Sequence, residues 1–129
     1  MLQLEELHHV AVICTDYQRS KQFYTDVLGM KVLREVYRED RQSYKLDLAL
    51  KGGYVLELFS FPEPPARVSQ PEAAGLRHLA FAVADIAAAR EELLRLHVPV
   101  EPIRQDPYTG KRFTFFSDPD DLPLELYES

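Results

Sequence analysis

The chain predicts an α+β fold built from two successive copies of one strand-helix-strand-strand-strand module, and three observations carry that prediction. Leu7-His8-His9-Val10-Ala11-Val12 returns 69 positions later as Leu76-Arg77-His78-Leu79-Ala80-Phe81, and Asp16 returns at the same spacing as Asp85. Leu56-Glu57-Leu58-Phe59 returns 68 positions later as Leu124-Glu125-Leu126-Tyr127. Between these anchors, apolar periodicity and turn residues place the same order of elements in each half. A repeat of about 65 residues present only twice is a duplicated half-domain rather than a solenoid array.

Each element has its own justification. Residues 7–14 form an apolar run that reads as a strand. Asp16 is an N-cap for a helix over 16–28, with Phe23, Tyr24, Val27 and Leu28 at core spacing and Gly29 as its C-terminal stop. Strands follow over 31–37, 44–50 and 54–61, the last two joined through Gly52-Gly53. The second half predicts a strand over 76–83 and a helix from Asp85 to His97, then strands over 99–103, 112–117 and 122–128. The proline-rich stretch 62–75 cannot continue a sheet and separates module one (5–61) from module two (76–129) within a single domain.

Bulk composition narrows the function classes. At 129 residues with 46% hydrophobic content, seven Tyr and seven Phe, the chain can bury a real core. A net charge of −6 leaves no basic stripe for nucleic acid or an anionic membrane. No run of 18 apolar residues is present, and the first six residues carry acids where a signal peptide carries bases, so a cytoplasmic location is expected. Cys14, the single cysteine, has no partner for an intrachain disulfide and no spacing that marks a catalytic thiol.

The chemistry-bearing pattern lies on the repeated strands. Alternation puts His9 on one face with Ala11 and Ile13, and His78 on one face with Ala80 and Ala82. Glu57 shares a face with Val55 and Phe59, and Glu125 with Pro123 and Tyr127. A single strand glutamate ordinarily points to solvent. Two of them, each set between leucines and each matched by a strand histidine, are better explained as ligands, because a carboxylate on an apolar strand needs a partner. Two imidazoles and two carboxylates neutralise a dication and suit Zn, Ni, Co, Mn or Fe(II), with Zn or Ni favoured. His9, Glu57, His78 and Glu125 are therefore the expected metal ligands. His8 has the opposite parity and reads as a core or edge histidine, and His97 as a solvated helix end. Lys111 and Arg112, with Arg104 upstream, read first as solubilising surface charge and second as candidates for holding an anionic substrate at the cavity mouth.

These residues resemble the vicinal-oxygen-chelate superfamily, which includes glyoxalase I, methylmalonyl-CoA epimerase, fosfomycin-modifying thiol transferases and extradiol dioxygenases. The segment from His9 through Asp16-Tyr17-Gln18-Arg19-Ser20 to Phe23-Tyr24 and Gly29-Met30 is similar to the opening of bacterial glyoxalase I. Asp118-Pro119-Asp120 with Leu124-Glu125-Leu126 is similar to the closing strand of that family. The resemblance implies paired βαβββ modules in a U-shaped mixed sheet around one metal, held by His9, Glu57, His78 and Glu125. It implies a lyase or isomerase using metal-stabilised enediolate chemistry on a small α-oxo compound or its thiol adduct. Glu125 would be the base and Glu57 its mirrored counterpart, with Phe59, Phe61 and Phe115 shaping the substrate wall and a homodimer as the assembly. Bacterial glyoxalase I has an arginine at the position of Ile13 and an asparagine at that of Phe61, both of which help hold glutathione. A non-catalytic binding protein for an antibiotic-type small molecule, a metal-dependent thiol transferase and a dioxygenase are the alternatives within the same fold.

Overall fold

A computed structural model describes all residues, 1–129. The chain divides into two compact units, Met1–Pro65 and Ala66–Ser129, with the boundary inside the proline-rich stretch. No helix is long and apolar enough to cross a membrane.

In the first unit, β1 (Val10–Cys14) leads into α1 (Tyr17–Gln22), whose N-cap Asp16 accepts a hydrogen bond from the Arg19 amide at 3.2 Å. The helix then widens into a π-helical segment at Phe23–Val27, where the Leu28 amide reaches back to the Phe23 carbonyl, and Gly29 at φ +70 ends it. The strands β2 (Lys31–Arg38), β3 (Ser43–Leu50) and β4 (Gly53–Ser60) follow. The sheet order is β1-β4-β3-β2, parallel between β1 and β4 and antiparallel elsewhere. Leu46, Leu48, Leu56 and Leu58 are almost fully buried, together with Val12, Cys14, Tyr17 and Tyr24. These alternate positions are what a helix-covered sheet face requires.

The second unit repeats the plan. β5 (Leu79–Val83) precedes α2 (Ile86–Arg95), whose N-cap Asp85 accepts from the Ala88 amide at 3.0 Å. After it come β6 (Arg104–Gln105), β7 (Arg112–Ser117) and β8 (Pro123–Glu128), in the order β5-β8-β7-β6. Its buried apolar residues are Ile86, Leu93, Phe116, Leu122, Leu124 and Leu126. Both units are α+β modules with the βαβββ order read from the sequence.

Four elements differ most from the sequence reading. Both first strands start three residues later than expected, at Val10 and Leu79, because pairing begins at Val10↔Leu56 and Leu79↔Leu124. Helix α1 closes early, its last turn taken over by the wider segment. The strand expected over 99–103 is reduced to one bridge, Val100↔Phe116, followed by the two-residue β6. Pro99 and Pro102 supply no ladder donors. Glu101 compensates: its amide donates to the Phe115 carbonyl (3.2 Å), its carboxylate accepts from the Phe115 amide (3.0 Å), and its carbonyl accepts from the Thr114 hydroxyl (2.9 Å).

Candidate metal centre

Parallel pairing brings each histidine to its glutamate. Ala11 lies opposite Glu57, and Ala80 opposite Glu125, so the histidine two positions earlier shares the glutamate's face. His9 Nε2 is 3.4 Å from Glu57 Oε1, and His78 Nε2 is 3.6 Å from Glu125 Oε1. Both imidazoles thus present Nε2 to the carboxylate. Their Nδ1 atoms face the preceding residue: His9 Nδ1 lies 2.8 Å from His8 Nδ1, and His78 Nδ1 lies 3.2 Å from Arg77 Nη1. An arginine only donates, so His78 Nδ1 accepts there and the neutral ring carries its proton on Nε2. Within neither unit do three or more His, Cys, Asp or Glu side chains gather as a metal cluster.

The first unit surrounds Glu57 with donors. Glu57 Oε2 accepts a very short hydrogen bond from the Tyr54 hydroxyl and lies 3.3 Å from Lys45 Nζ. Lys45 also reaches Asp47 Oδ1 at 2.6 Å, and Arg34 Nε donates to Asp47 Oδ2 at 3.2 Å. Asp47 sits opposite Glu57 on β3 and is buried, so its charge is sustained by these two cations. Burial pushes the Glu57 carboxyl upward, but the Tyr54 hydroxyl and the Lys45 ammonium outweigh it and hold the group below the ordinary carboxylate range. Asp47 is likewise lowered, burial being opposed by Lys45 and Arg34. Tyr54 is raised, chiefly by burial and then by its bond to Glu57.

The second unit has no such network. Phe115 occupies the register position opposite Glu125 that Asp47 takes opposite Glu57. The His78 ring stands edge-on to Phe115, with centroids 5.0 Å apart. His78 lies within ion-pair distance of the Glu125 carboxylate, at 3.6 Å. Phe115 also forms part of the wall of a cavity of about 200 Å³ within this unit, lined in addition by Arg67, Arg77 and Arg104.

The remaining sequence candidates are placed as follows. Phe59 and Phe61 stack at 5.9 Å under the Arg38 guanidinium, 5.0 Å from the Phe59 ring centre. Arg112 pairs with Glu128 at 3.0 Å, on the sheet face opposite to Phe115 and Glu125. Lys111 is exposed in the turn before β7. His8 is exposed and packs its ring 5.4 Å from Tyr54, and His97 is exposed at φ +61 just beyond α2. The Cys14 thiol is buried 3.3 Å from the Phe59 carbonyl. The sequence reading passed over Lys45, Asp47 and Tyr54. A signal existed for one of them, since Leu46-Asp47-Leu48 repeats the leucine-acid-leucine pattern of Leu56-Glu57-Leu58.

The model of the Glyoxalase/Bleomycin resistance protein/Dioxygenase superfamily matches residues 6–126. The chain belongs to that superfamily. Among its relatives, protein YaeR of Escherichia coli (strain K12) is 64% identical, covering 99% of both chains. A 2-epi-5-epi-valiolone epimerase of an Actinomyces species is 32% identical over 93% of this chain and 77% of its own. A solved glyoxalase family protein from Enterococcus faecalis is 49% identical with a TM-score of 0.89, covering 96% of this chain and 98% of that one. The superfamily fold is shared at 19% identity and a TM-score of 0.73 by a Listeria monocytogenes fosfomycin resistance protein, over 97% of this chain and 93% of that one. That protein was solved as a mutant complexed with Mn(II). The relatives thus include an enzyme, and the fold is shared with a protein solved with Mn(II).

The donor sets in this chain fit such an ion. Two ligands each about 2.1 Å from one cation, at angles between octahedral and tetrahedral, lie about 3.0–3.4 Å apart. The observed 3.4 and 3.6 Å between His nitrogen and Glu oxygen need little adjustment to reach that spacing.

Proposed function

We propose that this protein is a divalent-metal-dependent, glyoxalase-like lyase or isomerase acting on a small α-oxo compound or its thiol adduct. His9, Glu57, His78 and Glu125 would hold the ion, with both pairs drawn from one chain or from two copies in a homodimer. The supporting observation is the same His Nε2–Glu Oε1 juxtaposition in both units. Zn and Ni head the expected metals, because imidazole and carboxylate donors without thiolate suit borderline cations. When bound, such a cation acts as a Lewis acid for negative charge developing on vicinal substrate oxygens.

The chain's own residues divide the remaining work. Tyr54 and Lys45 hold one oxygen of Glu57 and leave Oε1 toward His9, which makes Glu57 the fixed ligand. Glu125 has no donor of that kind, so it can turn from ligand to acceptor of the substrate α-proton at small cost. Were His78 to hold the ion through Nε2, its ring proton would sit on Nδ1, and Arg77 would have to release that nitrogen. Phe59, Phe61 and Phe115 supply apolar surface for the substrate, and the uncharged Ile13 and Phe61 favour a thiol adduct other than glutathione's. The location is expected to be cytoplasmic.

The test is solvent-deuterium exchange at the α-carbon of methylglyoxal adducts with a panel of thiols, followed by proton NMR on metal-loaded protein. Wild type should exchange with at least one adduct, and Glu125→Gln should slow it about 100- to 10,000-fold while the ion stays bound. Unchanged exchange in that variant contradicts the role given to Glu125.

A further inference from the structure

We propose that the second unit contains a preformed anion subsite, built by Arg67, Arg77 and Arg104, which takes the carboxylate or phosphoryl end of a small ligand. In a chain of net charge −6, three guanidinium groups lining one small cavity are a concentrated exception. The carboxylate lining the same cavity is that of Glu72, which is largely exposed and 3.8 Å from Arg77 Nη2, too far for a firm bidentate pair.

Two of the three arginines are held in place, Arg67 by neutral acceptors and Arg104 by a close pair with Glu101. Arg67 donates from Nη2 to the Leu76 and Arg77 carbonyls (3.0 and 2.9 Å) and from Nε to the Ser69 hydroxyl (2.9 Å). These acceptors are neutral, so its positive charge is not cancelled. Arg104 lies over the Phe113 and Phe115 rings, 4.7 and 5.6 Å from their centres, and pairs with Glu101 at 2.8 Å. Arg104 Nε donates to the same Glu101 oxygen at 2.9 Å, and that oxygen also accepts from the Phe115 amide at 3.0 Å, so this pair fixes the guanidinium beside the cavity and shares its charge. Prefixed guanidinium groups around a partly enclosed space are the arrangement that binds oxyanions with little loss of side-chain entropy.

Position gives the subsite its meaning. Phe115 lines the cavity, touches the His78 ring edge-on and lies in register with Glu125. Arg77, the third arginine, contacts the His78 ring directly. An acid group held by the arginines would therefore set the rest of a short ligand against the His78/Glu125 pair. As a statement about substrate class this rests on the metal-dependent reading above; as a statement about anion binding it does not. Of the basic residues suggested by the sequence, Arg104 lines this cavity, and Lys111 and Arg112 take no part in it.

The experiment uses full-length protein stripped of metal with chelator, titrated with inorganic phosphate and, separately, with pyruvate, and followed by amide NMR shifts and calorimetry. Saturable binding of either anion that weakens with added salt is expected. Arg77→Gln and Arg104→Gln should each weaken it about tenfold, and Arg95→Gln, an exposed helix arginine paired with Glu92, should leave it within about twofold. Arg67 is left intact because its backbone contacts shape the loop. Whichever anion binds more tightly assigns the phosphoryl or the carboxylate source. Absence of saturable binding, or binding indifferent to Arg77→Gln and Arg104→Gln, overturns the subsite. Binding that arises only after metal is restored and disappears in His78→Ala also overturns it, because the anion is then a metal ligand. A metal-free protein that still binds phosphate through these arginines keeps the subsite while removing the metal reading.

Discussion

The two halves of this molecule share a sheet order and a His/Glu pair, yet they differ in what stands behind the glutamate. In the first unit Asp47 faces Glu57 across the ladder, and Lys45, Tyr54 and Arg34 tie the two carboxylates into one buried network. In the second unit the facing residue is Phe115, and Glu125 touches no donor except His78. The His/Glu pair is common to both units, and its support differs. Under the proposed metal reading the difference would give unlike roles to like residues: Glu57, held by Tyr54 and Lys45, would be a fixed ligand, and Glu125, without them, could change partners during a reaction.

The comparison is broken or sharpened by a graded series of substitutions. The largest separation should come from the glutamates themselves. Beyond the loss of exchange expected for Glu125→Gln, Glu57→Gln should act mainly on metal retention, read by competitive chelator titration. Equal loss of metal and of turnover in both variants would erase the asymmetry. Next comes Tyr54→Phe, which frees Glu57 from its shortest contact and should weaken metal binding about 10- to 100-fold. Phe115→Leu, on the other side, should change metal affinity little. Asp47→Ala removes a buried carboxylate, leaves Arg34 without its partner and leaves Lys45 with Glu57 alone, at a cost of about 2–3 kcal/mol in urea denaturation. That figure sits at the low end for a buried pair because Arg34 is largely exposed.

The smallest effect concerns pH. Lys21 donates to Glu35 at 2.7 Å and Tyr17 donates to the same oxygen at 2.5 Å, so the Glu35 carboxyl is held below its ordinary value by the ammonium and the phenol. A lowered carboxyl adds stability at pH above its unfolded value of about 4.3, and this is lost as pH falls through the folded value. Thermal melts of Glu35→Gln and wild type should therefore differ near neutral pH and converge in acid. Ile86 stands at the position of Tyr17 in the second unit, so no matching acid-sensitive contact exists there. Curves that remain parallel to low pH would remove Glu35 from the account.

How much of this was legible in the sequence follows from what each feature depends on. Asp16 and Asp85 were readable as caps because capping is local chemistry, decided within four residues. The His and Glu positions were readable because strand parity and repetition constrain each other. The loss of the strand at 99–103 turned on Glu101 reaching Phe115, a pairing across fourteen positions that no periodicity reports. The support around Glu57 was hidden for the same reason, since Lys45 and Tyr54 read as ordinary strand residues until β3 and β4 are placed in register. The arginines of the second-unit cavity come from two segments, the irregular stretch between β4 and β5 and the strand β6, and only the fold brings them together.

The central claim is that the two His/Glu pairs are metal ligands, and elemental analysis tests it most directly. Protein purified without chelator, or reloaded with Zn or Ni after stripping, is compared with His78→Ala and with His78→Gln, both checked for native melting. The account predicts about one transition metal ion per intact four-ligand set, lost from both variants while their folds persist. Folded wild type that retains no metal after reloading, or variants that retain it in full, would contradict it.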